Sequence, residues 1–457
     1  MNPNRPFCGV IAVLAISLTV RSASCQQALS PPEPMSGLQI KSNPLEIPLS
    51  VDALDDVSTL ESNAETDGPL DLSHFEQSAL AGHPAVGAIA AQVNEARWRY
   101  QRAGVIPDTR VGYIGEEMGA AGTAGFQGAY LSQQIVTGRK LQLDQAVVSN
   151  EVAALQQQLA AVQQRVVTDV RKAFFSVLVA QERVELQSRL VRVAKETEQT
   201  LTTLFESGEG RLTDQLQART EFDTQSMTLV ASRQALTAAW RELIAVANIP
   251  GLALTRVDGN LYEVVPDLDW DSIREALVAS SPEIAQAIAN VQRAQCAIAR
   301  AAAERHPNLT AQVGFVTDNT SGEELVSVQA SMPIPRRSRV RAEVGAARAR
   351  LMRAHQLVEA IERRLTVQLA REFKNYEQSR DRIGRYREQI LPRVRESRQL
   401  IARAYKLGEM SYVDLLVSQR NDFRAQAAYL DEIAIYWASF QRLDGMLLDG
   451  ALQDQNL

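Results

Sequence analysis

Cysteine is nearly absent from this chain: three in 457 residues, Cys8, Cys25 and Cys296. Cys8 falls in an N-terminal apolar stretch, so no disulfide framework can be drawn from the other two. Cys296, in the alanine-rich VQRAQCAIAR, reads as a small packing residue. Histidine is as scarce. His74, His83, His306 and His355 are scattered, with no spacing that sets two on one helix face as a metal site needs. No nucleophile elbow, phosphate loop or Cys–His cluster occurs, so neither an enzyme nor a cofactor is expected. Aromatics make up only 5%, while Ala, Gln, Arg, Glu and Leu dominate the second half; this favours long helices over a large globular core. Charge of one sign is lacking too. The 48 basic and 54 acidic residues are interspersed and give a net −6, which leaves no polybasic footprint for a nucleic-acid partner. Beyond the N-terminus no run of about 18 apolar residues appears, so no transmembrane helix is expected.

What is present begins with an export signal. Arg5 supplies a positive start, CGVIAVLAISLTV (Cys8–Val20) a short apolar stretch, and SAS a small-residue cleavage site before Cys25. Residues 1–24 are read as signal peptide. Cleavage there leaves Cys25 at the mature N-terminus, open to lipidation, although Ser22 stands three before it where Leu is usual. Residues 25–72, with Pro31, Pro32, Pro34, Pro44, Pro48 and Pro69 and scattered acids, read as a lead-in with little packing capacity. An exported chain without a membrane helix is left with the periplasm, secretion, or the outer membrane by way of a β-barrel.

From there the chain reads as a tandem repeat, 73–250 and 271–449, joined by a connector at 251–270 and followed by a tail at 450–457. Each copy opens a helix on a proline, HPAVGAIAAQVNEARWRYQRAG against SPEIAQAIANVQRAQCAIARAAA, with Pro84 and Pro282 where a missing N–H costs nothing. A β-hairpin follows, at 109–135 and 309–334, then a long helix at 138–206 and 336–406, a turn, and a return helix at 212–248 and 412–448. Alternation is clearest in the second hairpin. Leu309, Ala311, Val313 and Phe315 share one face with Thr310, Gln312 and Gly314 opposite; Val326, Val328, Ala330 and Met332 alternate with Ser327, Gln329 and Ser331. Four half-apolar strands cannot close a membrane barrel, which takes about eight. The strands therefore need partners from other copies, and a homo-oligomer is expected.

The helices need partners as well. Arg139 to Ser207 contains no Gly and no Pro over 69 residues, about 100 Å of helix. The second long run carries Gly345, Gly384 and Pro392, where local bending is expected. Val162, Val166, Val167, Val170, Phe174, Val177 and Leu178 form an apolar seam for lateral packing. Each long helix then stops at matching turns, LFESGEGRLTDQL and AYKLGEMSYVDLL, with Gly208 and Asp214 answering Gly408 and Asp414 at an offset of 200. The glycines suit the left-handed residue that ends a helix, and the acids suit the first turn of the next one.

The whole order resembles the outer membrane efflux protein family, the TolC-like exit ducts, over about residues 73–449. LSQQIVTGRKLQLDQA stands where that family ends its second strand, and FESGEGRLTDQLQAR and YKLGEMSYVDLLVSQRNDF stand at its two helical tips. The wording after the first hairpin looks most like the cobalt–zinc–cadmium efflux branch. The resemblance implies an α+β, mostly α fold: a homotrimer whose four strands per protomer complete a twelve-stranded outer-membrane barrel, lipid outside, above a periplasmic α-helical barrel. It implies docking of a periplasmic adaptor at the tips (Gly208, Glu209, Gly210, Gly408 and Glu409) and an inner-membrane pump as energy source; no His, Met or Cys cluster in the residues supports a metal site. Asp414 matches the acid that rings the closed aperture, and Asp214 the acid of the polar links between tip helices. Val417 stands for a second aperture acid and Met410 for a linking arginine, so fewer polar links are expected, with Arg211 available as a partner for Asp214 or a neighbouring acid.

The reading is thus a passive exit duct of a tripartite efflux system of the RND type. Two alternatives stand beside it: the outer-membrane component of type I protein secretion, and a periplasmic coiled-coil structural protein. The last leaves the alternating strands without a use.

Overall fold

A computed structural model describes residues 71–119, 125–262, 267–319 and 321–451, all within one compact unit, Asp52–Leu457. The export signal, Cys25 and nearly all of the lead-in lie outside the described residues, as do residues 452–457 of the tail and parts of the first hairpin loop and the connector.

The element order is α1 (Leu72–Gly82), α2 (Pro84–Ala103), β1 (Arg110–Glu116), β2 (Phe126–Ile135), α3 (Lys140–Glu206), α4 (Leu212–Val246), α5 (Trp270–Ser280), α6 (Pro282–Ala302), β3 (Leu309–Asp318), β4 (Glu324–Ser331), α7 (Arg337–Arg385), α8 (Leu391–Lys406) and α9 (Tyr412–Asp444). Local chemistry sets the starts. Asp71 caps α1 by accepting from His74 N at 3.1 Å, and Asp269 caps α5 by accepting from Ser272 N at 3.0 Å. His83 is buried and caps α2 through Nδ1, which accepts from Ala85 N at 3.2 Å. Burial lowers the His83 pKa, against a smaller opposing pull from Asp169.

α3 runs 67 residues without interruption. Helical hydrogen bonding also continues through Gly345, but between α7 and α8 lies a π-turn, Tyr386–Ile390. There Leu391 N donates to Tyr386 O, one residue further back than in an α-helix. The widened turn stands directly before Pro392, which has no N–H to give and whose ring would clash with the carbonyl four residues earlier.

The four strands form one antiparallel sheet in the order β1-β2-β3-β4. Register pairs Val111 with Leu131, Leu131 with Val313 and Val313 with Val328; one rung away run Tyr113, Ala129, Phe315 and Val326. That face is apolar and largely bare: Val111, Tyr113, Phe315, Val326 and Val328 are all exposed. Opposite it stand Gly112, Tyr130, Gln312, Gly314, Ser327 and Gln329. The Tyr130 ring occupies the space where a Cβ on Gly112 would go, 2.5 Å from it, so a small residue is required there. Pro333 and Pro335 follow the end of β4.

Several aromatics are gathered in one belt. Phe75 of α1 meets Phe174 of α3 and Trp240 of α4, Phe175 stacks on Trp437 of α9 at 3.9 Å, and Tyr376 of α7 stacks on Tyr436 at 5.3 Å. Together they make the main core, where α1 and α5 pack against the long helices. Both buried indoles find a carbonyl, Trp240 Nε1 to Leu252 O at 3.2 Å and Trp437 Nε1 to Leu261 O at 2.9 Å. So residues 252 and 261, on the segment between α4 and α5, are pinned to that belt. Among the described residues, no helix is long and apolar enough to cross a membrane.

Candidate functional site: the paired helical turns

Two turns reverse the chain, one between α3 and α4 and one between α8 and α9. Each is a Schellman ending around a left-handed glycine. At Gly208, φ +80°, the Gly208 N–H donates to Phe205 O at 3.0 Å and Glu209 N–H to Leu204 O at 2.9 Å. At Gly408, φ +77°, the same pair runs to Tyr405 O and Ala404 O, each at 3.0 Å. Glu209 and Gly210 complete the first turn, where Gly210 N also donates to Leu204 O; Glu409 and Met410 continue the second, with Met410 43% exposed.

The two acids are held differently. Ser411 and Asp414 form a capping box: Asp414 N donates to Ser411 Oγ at 3.2 Å and Ser411 N to Asp414 Oδ2 at 3.1 Å, with Ser411 Oγ 2.7 Å from Oδ2. These hydrogen bonds, the hydroxyl's above all, lower the Asp414 pKa. Asp214 sits in the first turn of α4 with only Thr213 Oγ1 at 3.4 Å as side-chain donor. Its charge instead faces the other hairpin, where burial first and then Asp214 raise the Tyr405 pKa. Arg211 precedes α4, exposed, and makes no ion pair among the described residues. Val417 is 49% exposed, one residue beyond buried Leu416.

The hairpins are joined by a small apolar cluster of Leu201, Ala218, Tyr412 and Leu416, flanked by Leu204 and Tyr405. Thr202 Oγ1 accepts from Gln215 Nε2 at 3.3 Å within the first hairpin. Directly above lies a polar tie that sequence reasoning missed. Glu221 of α4, buried, accepts from both Nε (3.1 Å) and Nη2 of Arg420 on α9 and from Gln225 Nε2 at 2.8 Å. Gln225 is held in turn by Gln187 Nε2 of α3 at 2.8 Å. Burial, followed by the Glu221 charge, pushes the Tyr412 hydroxyl up to about 12. A second buried acid, Asp422, lies 2.9 Å from Arg398 Nε of α8 and accepts from Gln426 Nε2 at 3.0 Å. The available signal was an acid on an apolar stripe: Glu221 is three residues past buried Ala218, and Asp422 seven past buried Leu415. Beside the tie runs a groove of about 330 Å³ lined by Leu190, Thr224, Gln419 and Phe423.

Among the described residues no group of three or more His, Cys, Asp or Glu could hold a metal ion. Cys296 is buried and its Sγ lies 3.5 Å from Asn150 Nδ2.

Comparison with known proteins bears on what the turns belong to. The family profile described as "Outer membrane efflux protein" matches residues 76–248 and 273–447. The chain is 22% identical to the cobalt-zinc-cadmium resistance protein CzcC of Cupriavidus metallidurans over 383 residues, 84% of this chain and 91% of that one. Among solved structures, a membrane protein from Pseudomonas aeruginosa superposes with a TM-score of 0.72 at 17% identity, covering 82% of this chain and 92% of the other. CusC, described as forming a transmembrane channel, gives 0.69 at 17% identity, covering 86% and 96%. The mostly helical fold with its small four-stranded sheet is the one these structures share.

Proposed function

The chain belongs to the outer membrane efflux protein family, and from that we propose that it is a passive, trimeric exit duct of a tripartite efflux system of the RND type, gated at its periplasmic helical turns. The outer membrane is its location. The observation that carries the reading is the open sheet. One face is apolar and bare, and β1 and β4 each have one neighbouring strand among the described residues. β4 of one copy can pair antiparallel with β1 of the next, and three copies of four strands close a twelve-stranded barrel. The recurring order of two helices, two strands, a long helix (split by the π-turn into α7 and α8 in the second half) and a return helix supports reading the halves as copies of one unit.

Below the barrel, α3 and α7–α8 carry the duct through the periplasm to the two turns. Asp414, once per protomer, would form a ring of three carboxylates, repelling one another and drawing cations. Asp214, facing Tyr405, adds a link between hairpins, and Arg211 is free to meet a neighbouring acid. With Met410 and Val417 where polar groups could stand, the latch has few polar links. A periplasmic adaptor docks at Gly208–Gly210 and Gly408–Glu409, and an inner-membrane pump supplies the energy. Opening is a sliding of hairpins that adaptor binding favours. Similarity to CzcC points to divalent metal cations as cargo.

The test is purified protein in planar bilayers. Trimers with a small resting conductance are expected, and Asp414→Ala lowers their preference for cations. Val417→Asp, which restores a second acid, is expected to change the resting leak. No conductance from wild type or Asp414→Ala under any condition would overturn the duct, and an unchanged leak in Val417→Asp the sparse latch.

A further inference from the structure

The two ends of the sheet carry opposite charge. At the hairpin end stand Glu116, Glu117, Asp318, Glu323 and Glu324, and no Lys or Arg occurs between Arg110 and Arg139 or between Arg305 and Arg336. At the helical end each strand connection supplies arginine: Arg102 before β1, Arg139 after β2, Arg305 before β3, and Arg336, Arg337 and Arg341 after β4. All six are exposed, and none has a carboxylate partner among the described residues. Their basic neighbours differ. Lys140 is buried against Asn308 at 2.9 Å and Glu304 at 3.4 Å, Arg300 is held by Asp144 and Glu304, and Arg339 meets Glu343.

We propose that these arginines form a collar that binds the phosphate groups of anionic phospholipids in the leaflet on the helical side of the membrane. The inference rests on the membrane reading of the sheet given above. Bare apolar residues lead into the collar: Val105, Ile106 and Met332, each 62% exposed, and Ile334, 90% exposed. Arg336 follows Ile334 by two residues, as Ile334 follows Met332 and Met332 follows Ala330. Apolar side chains followed by guanidinium groups match the order of a leaflet, acyl chains and then phosphate. Arginine suits that boundary because its stem lies along apolar surface while its planar fork takes two phosphate oxygens.

The spread of the groups selects a lipid layer over a free ion. Four strands about 4.8 Å apart set the first and last connections about 14 Å from each other, too far for one phosphate and suited to a row of headgroups. An acidic segment of another protein would satisfy the charge and leave Val105, Ile106 and Ile334 uncovered.

The test is native mass spectrometry of the full-length trimer taken from bilayers of equal phosphatidylglycerol and phosphatidylethanolamine. Wild type is expected to retain phosphatidylglycerol in excess. R336Q/R337Q/R341Q is expected to lose that excess at least about fivefold, since one basic group near an anionic surface is worth about that factor. R363Q, which removes an exposed charge far along α7, is expected to keep it. Equal retention of both lipids by wild type, or an excess unchanged in the triple variant, overturns the collar while leaving the barrel standing. Binding of a polyglutamate peptide with no lipid preference also overturns it, in favour of an acidic protein partner. Failure of wild type to enter any bilayer overturns the membrane reading and the collar together, and is told apart by vesicle flotation before any lipid is counted.

Discussion

At Ser411 and Asp414 the Ser411 hydroxyl accepts from Asp414 N while the Asp414 carboxylate accepts from Ser411 N and brings a negative charge to the helix end that favours it. Its pKa is lowered by the Ser411 hydrogen bonds, so the charged form belongs to the folded turn. The stabilisation is present in full above the ordinary carboxylate pKa and is lost as pH falls through the lowered one. Protection of the amides at residues 411–416 against exchange, relative to their unfolded rates, should therefore hold from neutral pH to below the usual carboxylate range and then fall, whereas Asp414→Asn should remove that dependence. Identical profiles in the two proteins would contradict the assignment. Gly408 allows a cleaner prediction. A Cβ there meets nothing within 4 Å, so Gly408→Ala costs backbone strain alone, about 1 kcal/mol, seen as roughly fivefold faster exchange across residues 404–412. Glycine before a turn and Asp after it are legible in sequence because each meets a local backbone demand. Glu221 and Arg420 are not, because their meeting depends on how two hairpins 199 residues apart lie against one another.

Between hairpins, the tie is weighed by what its loss leaves behind. Removing Arg420 strands a carboxylate whose side chain is 7% exposed, while Arg420 itself is 48% exposed. The partly wet arginine brings the cost down from that of a fully buried pair to about 1–2 kcal/mol. Arg420→Ala should loosen the packing of α4 against α9, and Arg420→Ala with Glu221→Gln should recover part of the loss. Limited proteolysis at the turns measures both, and additive losses would show that no coupling exists. Readability at this scale followed length. The first long helix showed as a run without Gly or Pro and the strands as strict alternation. α1 and α5, of 11 residues each, are too short for a period to emerge, and the sequence showed only one helix before each hairpin. The π-turn was half legible: Gly384 and Pro392 marked the place, but the extra residue in the turn follows from the Pro392 ring needing space.

For the assembled molecule the sheet decides most, because its apolar face has no cover among the described residues. Were that face to meet another part of a soluble protein, a charge at its centre would be repelled by packing, and so would a large residue of any kind. Were it to meet lipid, charge alone would matter, and the cost would depend on depth. Val328 and Gln329 are neighbours on β4 that pair with Val313 and Gln312 respectively, so their side chains lie on opposite faces at nearly the same depth. Val328→Arg should cost about 2–4 kcal/mol per protomer at mid-bilayer, whereas Gln329→Arg, on the polar face, should leave insertion close to wild type. Val328→Phe separates the alternatives, since lipid accepts a larger apolar side chain that a packed core would not. Folding into phospholipid vesicles, followed by resistance of the barrel to proteolysis and to heat in detergent, reads all three. The barrel reading requires Val328→Arg to fail and both others to succeed; equal behaviour of the two arginine variants would mean that the sheet has no lipid face, and failure of Val328→Phe that it is covered by protein.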